Sequence, residues 1–442
     1  MRKLFALFVL GSLSLAVGCG GSGGGSTPKG VPGAGSNVLS VVVDGGPTAN
    51  QAGGALYPNG LFASATICVP GSTSNCVTVD HLLVDTGSYG LRVLDSEVAS
   101  LNLPTLTAAD GSTAYDCVAF ADLSFLWGPV QQADVTLGGE VASSLPIQVI
   151  SSNTSNPAIP ASCLNGNTAG DENTQASLQA NGILGIGLEP TDCFFEGGSA
   201  CDPGSGVAIP VPAYYGCSGA TCTAQYVSVA NQVTNPVAAF STDNDGVIVE
   251  LPSVSGSAPT VTGSVIFGVG TESNNQVAAT ATVFTTLCNT FTTAFDGQTF
   301  QIVDPGNCLD PANQGSFIDS GSNGLFFPDV NNFLPICPQN TPVGDLSTFY
   351  CPTSLQNLSA TNEDPNGTGA TEVTNFSVFN AEDLFTDADT SGDAAFSMLG
   401  GTNPTGVGFD WGLPFFYGRN VYSTIDATSV PSNLPTPPWW AY

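Results

Sequence analysis

Apolar positions in this chain come in short runs rich in valine, isoleucine and phenylalanine, and turn residues separate one run from the next. The sequence holds 53 glycines and 31 prolines, whereas lysine, arginine and methionine, which favour helices, are scarce. Short β-branched and aromatic runs between glycine- and proline-rich turns are typical of strands. The pattern therefore predicts an all-β protein.

The length of 442 residues exceeds what one hydrophobic core of ordinary size can organise. We expect two β lobes, over residues 39–235 and 236–442, behind an N-terminal leader and a spacer. Each lobe then has the size of a typical domain.

The N-terminus has the parts of a bacterial export signal. A positively charged start and the apolar run 4–10 precede small residues that lead to Cys19. The letters AVGC that end at this cysteine resemble a lipobox, in which the cysteine is acylated after cleavage in front of it. We expect a signal peptide over 1–18, a lipid on Cys19 and a flexible Gly/Ser/Pro tether over 19–38. The protein would then be anchored to the periplasmic or cell-surface face of a membrane; an incidental cysteine after a plain signal peptide is the alternative.

The charge balance excludes one class of partner. Acidic residues outnumber basic ones 36 to 5, and the formal net charge is −31. Such a chain repels polyanions, so we expect no nucleic-acid partner and membrane contact through the lipid only. Arg92 and Arg419 are the two lysine or arginine residues within the predicted lobes.

The cysteines indicate an oxidising compartment. The chain has 13, and an even number remains once Cys19 is set aside, which suits disulfides. Zinc is the rival interpretation, but the sole histidine, His81, and the lack of paired C-x-x-C motifs argue against it, and no metal or cofactor is expected. Short spacing suggests four local pairs, although spacing does not determine connectivity: Cys68 with Cys76, Cys193 with Cys201, Cys217 with Cys222, and Cys337 with Cys351.

An internal repeat carries the candidate chemistry. Residues 84–91 read VDTGSYGL and residues 318–325 read IDSGSNGL. A single Asp-Thr-Gly-Ser segment is a common turn, whereas its duplication after two apolar strands is far more specific. The repeat places Asp85 and Asp319 in equivalent positions.

Two carboxyl groups at such positions suit general acid–base chemistry. Carboxyls about 3 Å apart repel each other, so that one keeps its proton while the other is ionised. The ionised group can take a proton from water while the protonated group polarises a peptide carbonyl. Neighbouring residues would support this pair through close backbone approach and hydroxyl hydrogen bonds: Gly87, Gly321, Thr86, Ser88, Ser320 and Ser322.

The repeat resembles the aspartate motifs of pepsin-like aspartic peptidases. Three further segments, 182–187, 263–268 and 417–426, are similar to core strands of that family, the last with Arg419 in the place of a structural arginine. The chain is most similar to an uncharacterised bacterial branch of secreted pepsin-like proteins. The resemblance implies a bilobed fold with an interlobe cleft. It also implies a monomeric endopeptidase that hydrolyses peptide or protein substrates with water and without a cofactor.

The chain departs from that family beside the cleft. The family has a tryptophan shortly after the first aspartate, hydrogen-bonded to a tyrosine on a flexible hairpin that covers the substrate. Here Arg92 takes the tryptophan's place, and the hairpin, expected over 120–134, contains no tyrosine. Phe120 and Phe125 are then the candidates for covering the cleft. Arg92 can point into the cleft, pair with a hairpin carboxylate such as Asp122, bind an acidic substrate side chain or reach the surface.

These departures keep a second hypothesis open, in which a non-catalytic surface lipoprotein binds peptides or proteins in the cleft. The family's Gly-Asp before the final strands is also replaced, by residues 411–416. Retention of both aspartates and the neighbouring hydroxyls favours the peptidase.

The acidic segment 387–393 has the alternating oxygen ligands of a calcium loop, but Met398 stands where the last glutamate belongs, so an acidic surface loop is favoured.

Overall fold

The computed structural model describes residues 37–47, 56–155, 157–164, 167, 169–195, 198–199, 201–202, 213–306, 308, 315–366, 369–403 and 408–442. Strands predominate in these ranges and helices are few and short, which confirms the predicted all-β fold. The signal peptide, Cys19 and most of the tether lie outside the described residues. No helix within the described ranges is long and apolar enough to cross a membrane.

The strands of the first half of the chain, β1–β13, include strands with one buried face and strands buried on both faces, such as β9 (Gly182–Ile186). In the first strand Leu39, Val41 and Val43 are buried while Ser40 is exposed, as expected for a strand with one face on the core. The first-half strands are β1 (Val38–Val43), β2 (Phe62–Cys68), β3 (Cys76–Asp85), β4 (Tyr89–Leu94), β5 (Thr113–Ala119), β6 (Ser124–Leu137), β7 (Glu140–Ile150), β8 (Gly170–Asp171), β9 (Gly182–Ile186), β10 (Phe194–Phe195), β11 (Gly198–Ser199), β12 (Tyr214–Ser218) and β13 (Thr221–Ala224).

The second half of the chain, β14–β28, contains shorter strands and the longest described helix. Its strands are β14 (Gly246–Glu250), β15 (Ser257–Ala258), β16 (Val261–Phe267), β17 (Val283–Thr285), β18 (Thr292–Phe295), β19 (Gln298–Phe300), β20 (Phe317–Ile318), β21 (Leu325–Phe326), β22 (Gln356–Glu363), β23 (Thr371–Val378), β24 (Ala395–Phe396), β25 (Gly400–Gly401), β26 (Asp410–Trp411), β27 (Asn420–Thr424) and β28 (Trp439–Ala441). The α-helices of the described residues are α1 (Asp95–Val98), α2 (Ala161–Leu164), α3 (Gln175–Leu178) and α4 (Ala381–Ser391).

One 16-stranded sheet runs through both halves. Strand β1 pairs with β16 along its whole length but touches β2 only at Val42, so the first strand completes a sheet built from β16, β14 and β27. The segments 263–268 and 417–426 therefore lie in this shared sheet. The second half also contains two four-stranded sheets, β19-β18-β22-β23 and β20-β26-β21-β25, and a two-stranded sheet, β15-β24. The lobe boundary at 235/236 stays a prediction, because no break in this sheet marks it.

An aromatic cluster fills the core of the second half. The Phe409 ring stacks on Trp411 at 4.8 Å and on Phe327 at 5.0 Å between centroids. Phe295 meets Phe409 edge-on at 5.3 Å. Such pairs add specific geometry to the burial of apolar area. The cluster therefore supports β26 directly behind the second aspartate loop.

Six disulfides link the described residues. The four pairs predicted from short spacing are all present. The other two, Cys117–Cys163 and Cys288–Cys308, span 46 and 20 residues, too far for spacing to reveal them. This set is consistent with an exported protein.

Candidate active site

Asp85 and Asp319 stand at the ends of two equivalent strand units. In the first unit β3 pairs in parallel with β9, and β9 pairs antiparallel with β4. In the second unit β20 pairs in parallel with β26, and β26 pairs antiparallel with β21. The duplicated sequence therefore folds into a duplicated backbone arrangement, and segment 182–187 forms the strand beside the Asp85 loop.

Hydroxyl groups lock the two aspartate loops to each other. Thr86 Oγ1 donates to the Ile318 carbonyl oxygen at 3.2 Å and accepts the Ser320 backbone N–H at 2.9 Å. Ser320 Oγ donates to the Val84 carbonyl oxygen at 2.7 Å and accepts the Thr86 backbone N–H at 3.2 Å. Both side chains are buried, so these reciprocal bonds hold the loops in one relative position.

Glycine is required where the loops meet. A Cβ atom on Gly87 would lie 2.6 Å from Asp319 Cγ, and one on Gly321 would lie 2.7 Å from Asp85 Cγ. No side chain fits at those distances, so each carboxyl group depends on the glycine of the opposite loop.

Asp85 is held by its own loop. Its carboxylate accepts the Gly87 N–H at 2.8 Å, the Ser88 N–H at 3.0 Å and the Ser88 hydroxyl at 2.5 Å. Asp85 is 7 % exposed, while the adjoining Gly87 is exposed. The carboxyl group is therefore fixed in a largely buried position that opens to solvent on one side.

Asp319 has partners in both loops. Its carboxylate accepts the Gly321 N–H at 2.7 Å, the Ser322 hydroxyl at 2.8 Å and, at 3.2 Å, the Gly87 N–H that also bonds Asp85. One backbone N–H thus touches both carboxyl groups, which we call the dyad. Ser322 Oγ lies 2.6 Å from a third carboxyl group, that of Asp410.

The dyad is arranged to hold a proton. Burial raises the pKa of Asp85 well above its usual range, and the charge of Asp319 together with a hydrogen bond between the two carboxyls raises it further. The bonds from Ser88 and Gly87 act in the opposite direction. Two carboxyls can share a hydrogen bond only when one is protonated. The geometry therefore suits one proton and one negative charge.

Arg92 lies inside the first half and not in the cleft. Its guanidinium is 1 % exposed and forms ion pairs with Asp116 of β5 and, at 2.9 Å, with Asp192. It also donates to Gln148 at 2.7 Å. The expected positions in the cleft, on a substrate carboxylate or at the surface are wrong, because Arg92 is buried and its strand β4 is an interior strand between β7 and β9. The alternative in which Arg92 pairs with a carboxylate of the hairpin is confirmed, but the partner is Asp116 and not Asp122.

The hairpin differs from the predicted one. It consists of β5 and β6 with a turn at 120–123, so it begins earlier than the predicted range of 120–134. Phe125 is 3 % exposed and packs with Trp127 and Tyr215 beside the Cys117–Cys163 disulfide, so it is a core residue and not a cover for the cleft. Phe120 is half-buried against an apolar cluster, and its role over the cleft stays a prediction.

Tyr57 is a residue of the site that sequence reasoning missed. Its ring lies 6.0 Å from that of Phe62, and its hydroxyl donates a long bond of 3.5 Å to the Gly321 carbonyl oxygen. Burial raises the pKa of Tyr57, and the carboxyls of Glu172 and of the dyad raise it further. The phenol therefore lies beside the dyad, although no sequence motif surrounds it.

In the described part of the chain, no group of three or more histidine, cysteine, aspartate or glutamate side chains is arranged to hold a metal ion. The acidic segment 387–393 is not a calcium loop or a plain surface loop. It forms the last turns of α4 and its C-cap, Gly392, at φ 72°.

Arg419 has a structural position. Its guanidinium donates to the Phe415 carbonyl oxygen at 2.5 Å and lies over the Phe415 ring.

Comparisons with known proteins give a family but no activity. Residues 33–442 match the model of the family described as "Protein of unknown function (DUF3443)". No curated protein matches the chain. Among solved structures, the aspartic proteinase from Irpex lacteus is similar, with a TM-score of 0.42 and 14% identity over 87% of this chain and 94% of that one. A likeness at this level carries no functional argument, so function is argued from the site alone.

Proposed function

Because this chain belongs to the DUF3443 family, whose function is unknown, we propose its function from the chemistry of the site. The protein is an aspartic-type endopeptidase that hydrolyses peptide bonds with water activated between Asp85 and Asp319. One observation carries the proposal: the reciprocal lock of Thr86 and Ser320 brings two carboxyls together around a shared N–H. Carboxyls in that relation divide the acid and base roles between them.

The raised pKa of Asp85 favours a resting dyad in which Asp85 holds the shared proton. Asp319 then removes a proton from water, whose oxygen attacks the peptide carbonyl carbon. Asp85 donates its proton to the carbonyl oxygen in the same step, so a neutral gem-diol forms. In the next step Asp319 gives its proton to the amide nitrogen while Asp85 takes a proton from one gem-diol hydroxyl. The carbon–nitrogen bond breaks, a carboxylic acid and an amine leave, and the dyad returns to its starting protonation state.

The competing hypothesis, a cleft that only binds peptides, was motivated by Arg92. A guanidinium between the carboxyls would replace the shared proton, but the ion pairs with Asp116 and Asp192 hold Arg92 in the interior. The tyrosine that the hairpin does contain, Tyr115 of β5, stacks on Trp127 in an apolar cluster, whereas the hydroxyl of Tyr57 lies beside the dyad. The observations therefore support catalysis over binding alone.

We further propose that the protein is exported and carries a lipid on Cys19. The described disulfides support export. Mass spectrometry of the mature protein from a bacterial host tests the anchor: the N-terminal peptide should carry acyl chains at Cys19 and lose them in Cys19→Ser. An unmodified Cys19 in the mature wild type would contradict the anchor and leave the peptidase proposal untouched.

Cleavage of a peptide library between about pH 3 and 7 tests the peptidase. Asp85→Asn and Asp319→Asn each remove one member of the acid–base pair, so kcat should fall at least about 10²-fold. Asp345→Asn changes an exposed aspartate that caps a local turn and serves as the control with unchanged activity. Equal activity in the wild type and Asp85→Asn would exclude the proposed mechanism.

A further inference from the structure

Asp410 stands in a strand position where the chain's own repeat has an apolar residue. Phe317 of β20 pairs with Asp410 of β26 as Leu83 of β3 pairs with Ile183 of β9. Ile183 is 4 % exposed and belongs to an apolar cluster. A carboxyl group at the equivalent place breaks the local pattern, and such breaks concentrate at functional sites.

The hydrogen bonds of Ser322 restrict how Asp410 can be protonated. Ser322 Oγ lies 2.8 Å from Asp319 Oδ2 and 2.6 Å from Asp410 Oδ2. A serine hydroxyl has one proton, so it can donate to only one of these two oxygens. The second contact becomes a hydrogen bond only if that carboxyl group is protonated and donates to Ser322 Oγ.

The surroundings of Asp410 favour its neutral form. Its Oδ1 atom is buried without a hydrogen-bond partner, which is costly for a carboxylate. Burial, followed by the charge of Asp319, raises the pKa of Asp410 well above its usual range; Ser322 opposes this and Asp85 adds to it. Among the described residues, the charged groups that act on Asp410 are the two dyad aspartates, and its strand neighbours Phe317 and Phe326 are apolar.

We propose that Asp410 is a positioning residue for the dyad, which as a neutral acid donates to Ser322 Oγ and thereby turns the Ser322 proton towards Asp319 Oδ2. The relay stabilises the ionised form of Asp319 and so assigns the base role to that aspartate. Within the described residues, Ser88 has Asp85 as its one carboxyl partner, so the first unit lacks this relay. The inference rests on the proposed function and explains how two aspartates in equivalent loops acquire different roles.

Kinetics against pH test the relay. Asp410→Leu removes the hydrogen-bond donor to Ser322 Oγ. The apparent pKa of the acid limb in the pH profile of kcat/KM should therefore rise by about one unit. Asp410→Asn keeps an N–H donor and should leave that limb within about 0.3 pH unit of the wild type. A purely structural role would lower activity in both variants without moving the limb.

A double-mutant cycle locates the effect in the relay. Ser322→Ala should move the acid limb at least as far as Asp410→Leu, and Asp410→Leu should add no shift in the Ser322→Ala background. If Asp410→Leu does not fold, Ser322→Ala and Asp410→Asn carry the test. Unchanged acid limbs in folded Ser322→Ala and Asp410→Leu would overturn the proposal, and so would independent, additive shifts.

A second readout separates this inference from the proposed function. Carboxyl ¹³C titration of labelled aspartates, with the dyad signals assigned by their loss in Asp85→Asn and Asp319→Asn, follows the ionisation without any substrate. A shift of the dyad pKa in Asp410→Leu but not in Asp410→Asn, in a protein that cleaves no peptide, would support the relay and contradict the proposed peptidase activity. Cleavage that depends on the dyad, with no shift of the pKa in either readout, would support the peptidase and contradict the relay.

Discussion

The two aspartate units have the same backbone plan and different surroundings. Around Asp85 the strand β3 is ten residues long, and the unit rests on a buried ion-pair network around Arg92. Around Asp319 the strand β20 has two residues, and the unit rests on an aromatic cluster and on Asp410. The shared plan determines how close the carboxyls lie, while in the proposed mechanism the surroundings determine which of them is the acid and which the base.

The largest effect should come from breaking the shared plan. Gly321→Ala places a Cβ atom 2.7 Å from Asp85 Cγ, which separates the loops and should lower kcat at least about 10²-fold. Gly306→Ala is the control, because its added Cβ meets its nearest neighbour at 3.5 Å, an ordinary contact. Steady-state kinetics of both variants decide the point, and wild-type activity in Gly321→Ala would show that the loops need not meet.

A loss of stability should follow when the first unit loses its cation. Arg92→Met leaves Asp116 buried without a counter-charge, and removal of one partner of a buried pair costs about 3–5 kcal/mol. Urea unfolding should show this decrease in the free energy of unfolding. Arg419→Met, at a half-buried arginine without a carboxylate partner within ion-pair distance in the described structure, should cost less. Equal losses in the two variants would contradict a special role for the network.

The smallest expected effect is a pH dependence of the free energy of unfolding, caused by Asp192 in the surroundings of the first aspartate unit. Burial, and next the charge of Asp116, raise the pKa of Asp192 to about 8, and Arg92 only partly offsets this. A raised folded-state pKa means that the folded state binds the proton more tightly, so this stabilisation is complete below about pH 4 and lost as the pH rises through 8. Asp192→Asn should flatten the decline of the unfolding free energy between about pH 4 and 8. An unchanged slope in urea titrations across that window would show that Asp192 ionises normally.

Local signals in the sequence were sufficient for the dyad and for part of the disulfide set. The repeat at Asp85 and Asp319 works as a signal because strand, aspartate, hydroxyl and glycine follow one another within a few positions. The four short cysteine pairs were predicted for the same reason. Phe125 was misplaced, because alternation along a strand does not show which face another hairpin will cover.

The sequence by itself determined two properties of this protein. The chain is all-β, and its two aspartates lie in equivalent loops with the glycines and hydroxyls that let the loops meet. Only the tertiary structure decided what surrounds them. Arg92 forms a hydrogen bond with Asp192, which is 100 positions away in the sequence. The contact of Ser322 with Asp410 spans 88 positions, and that of Tyr57 with Gly321 spans 264. Buried charges and polar groups need partners wherever the fold places them, and sheet pairing, not sequence distance, sets that placement.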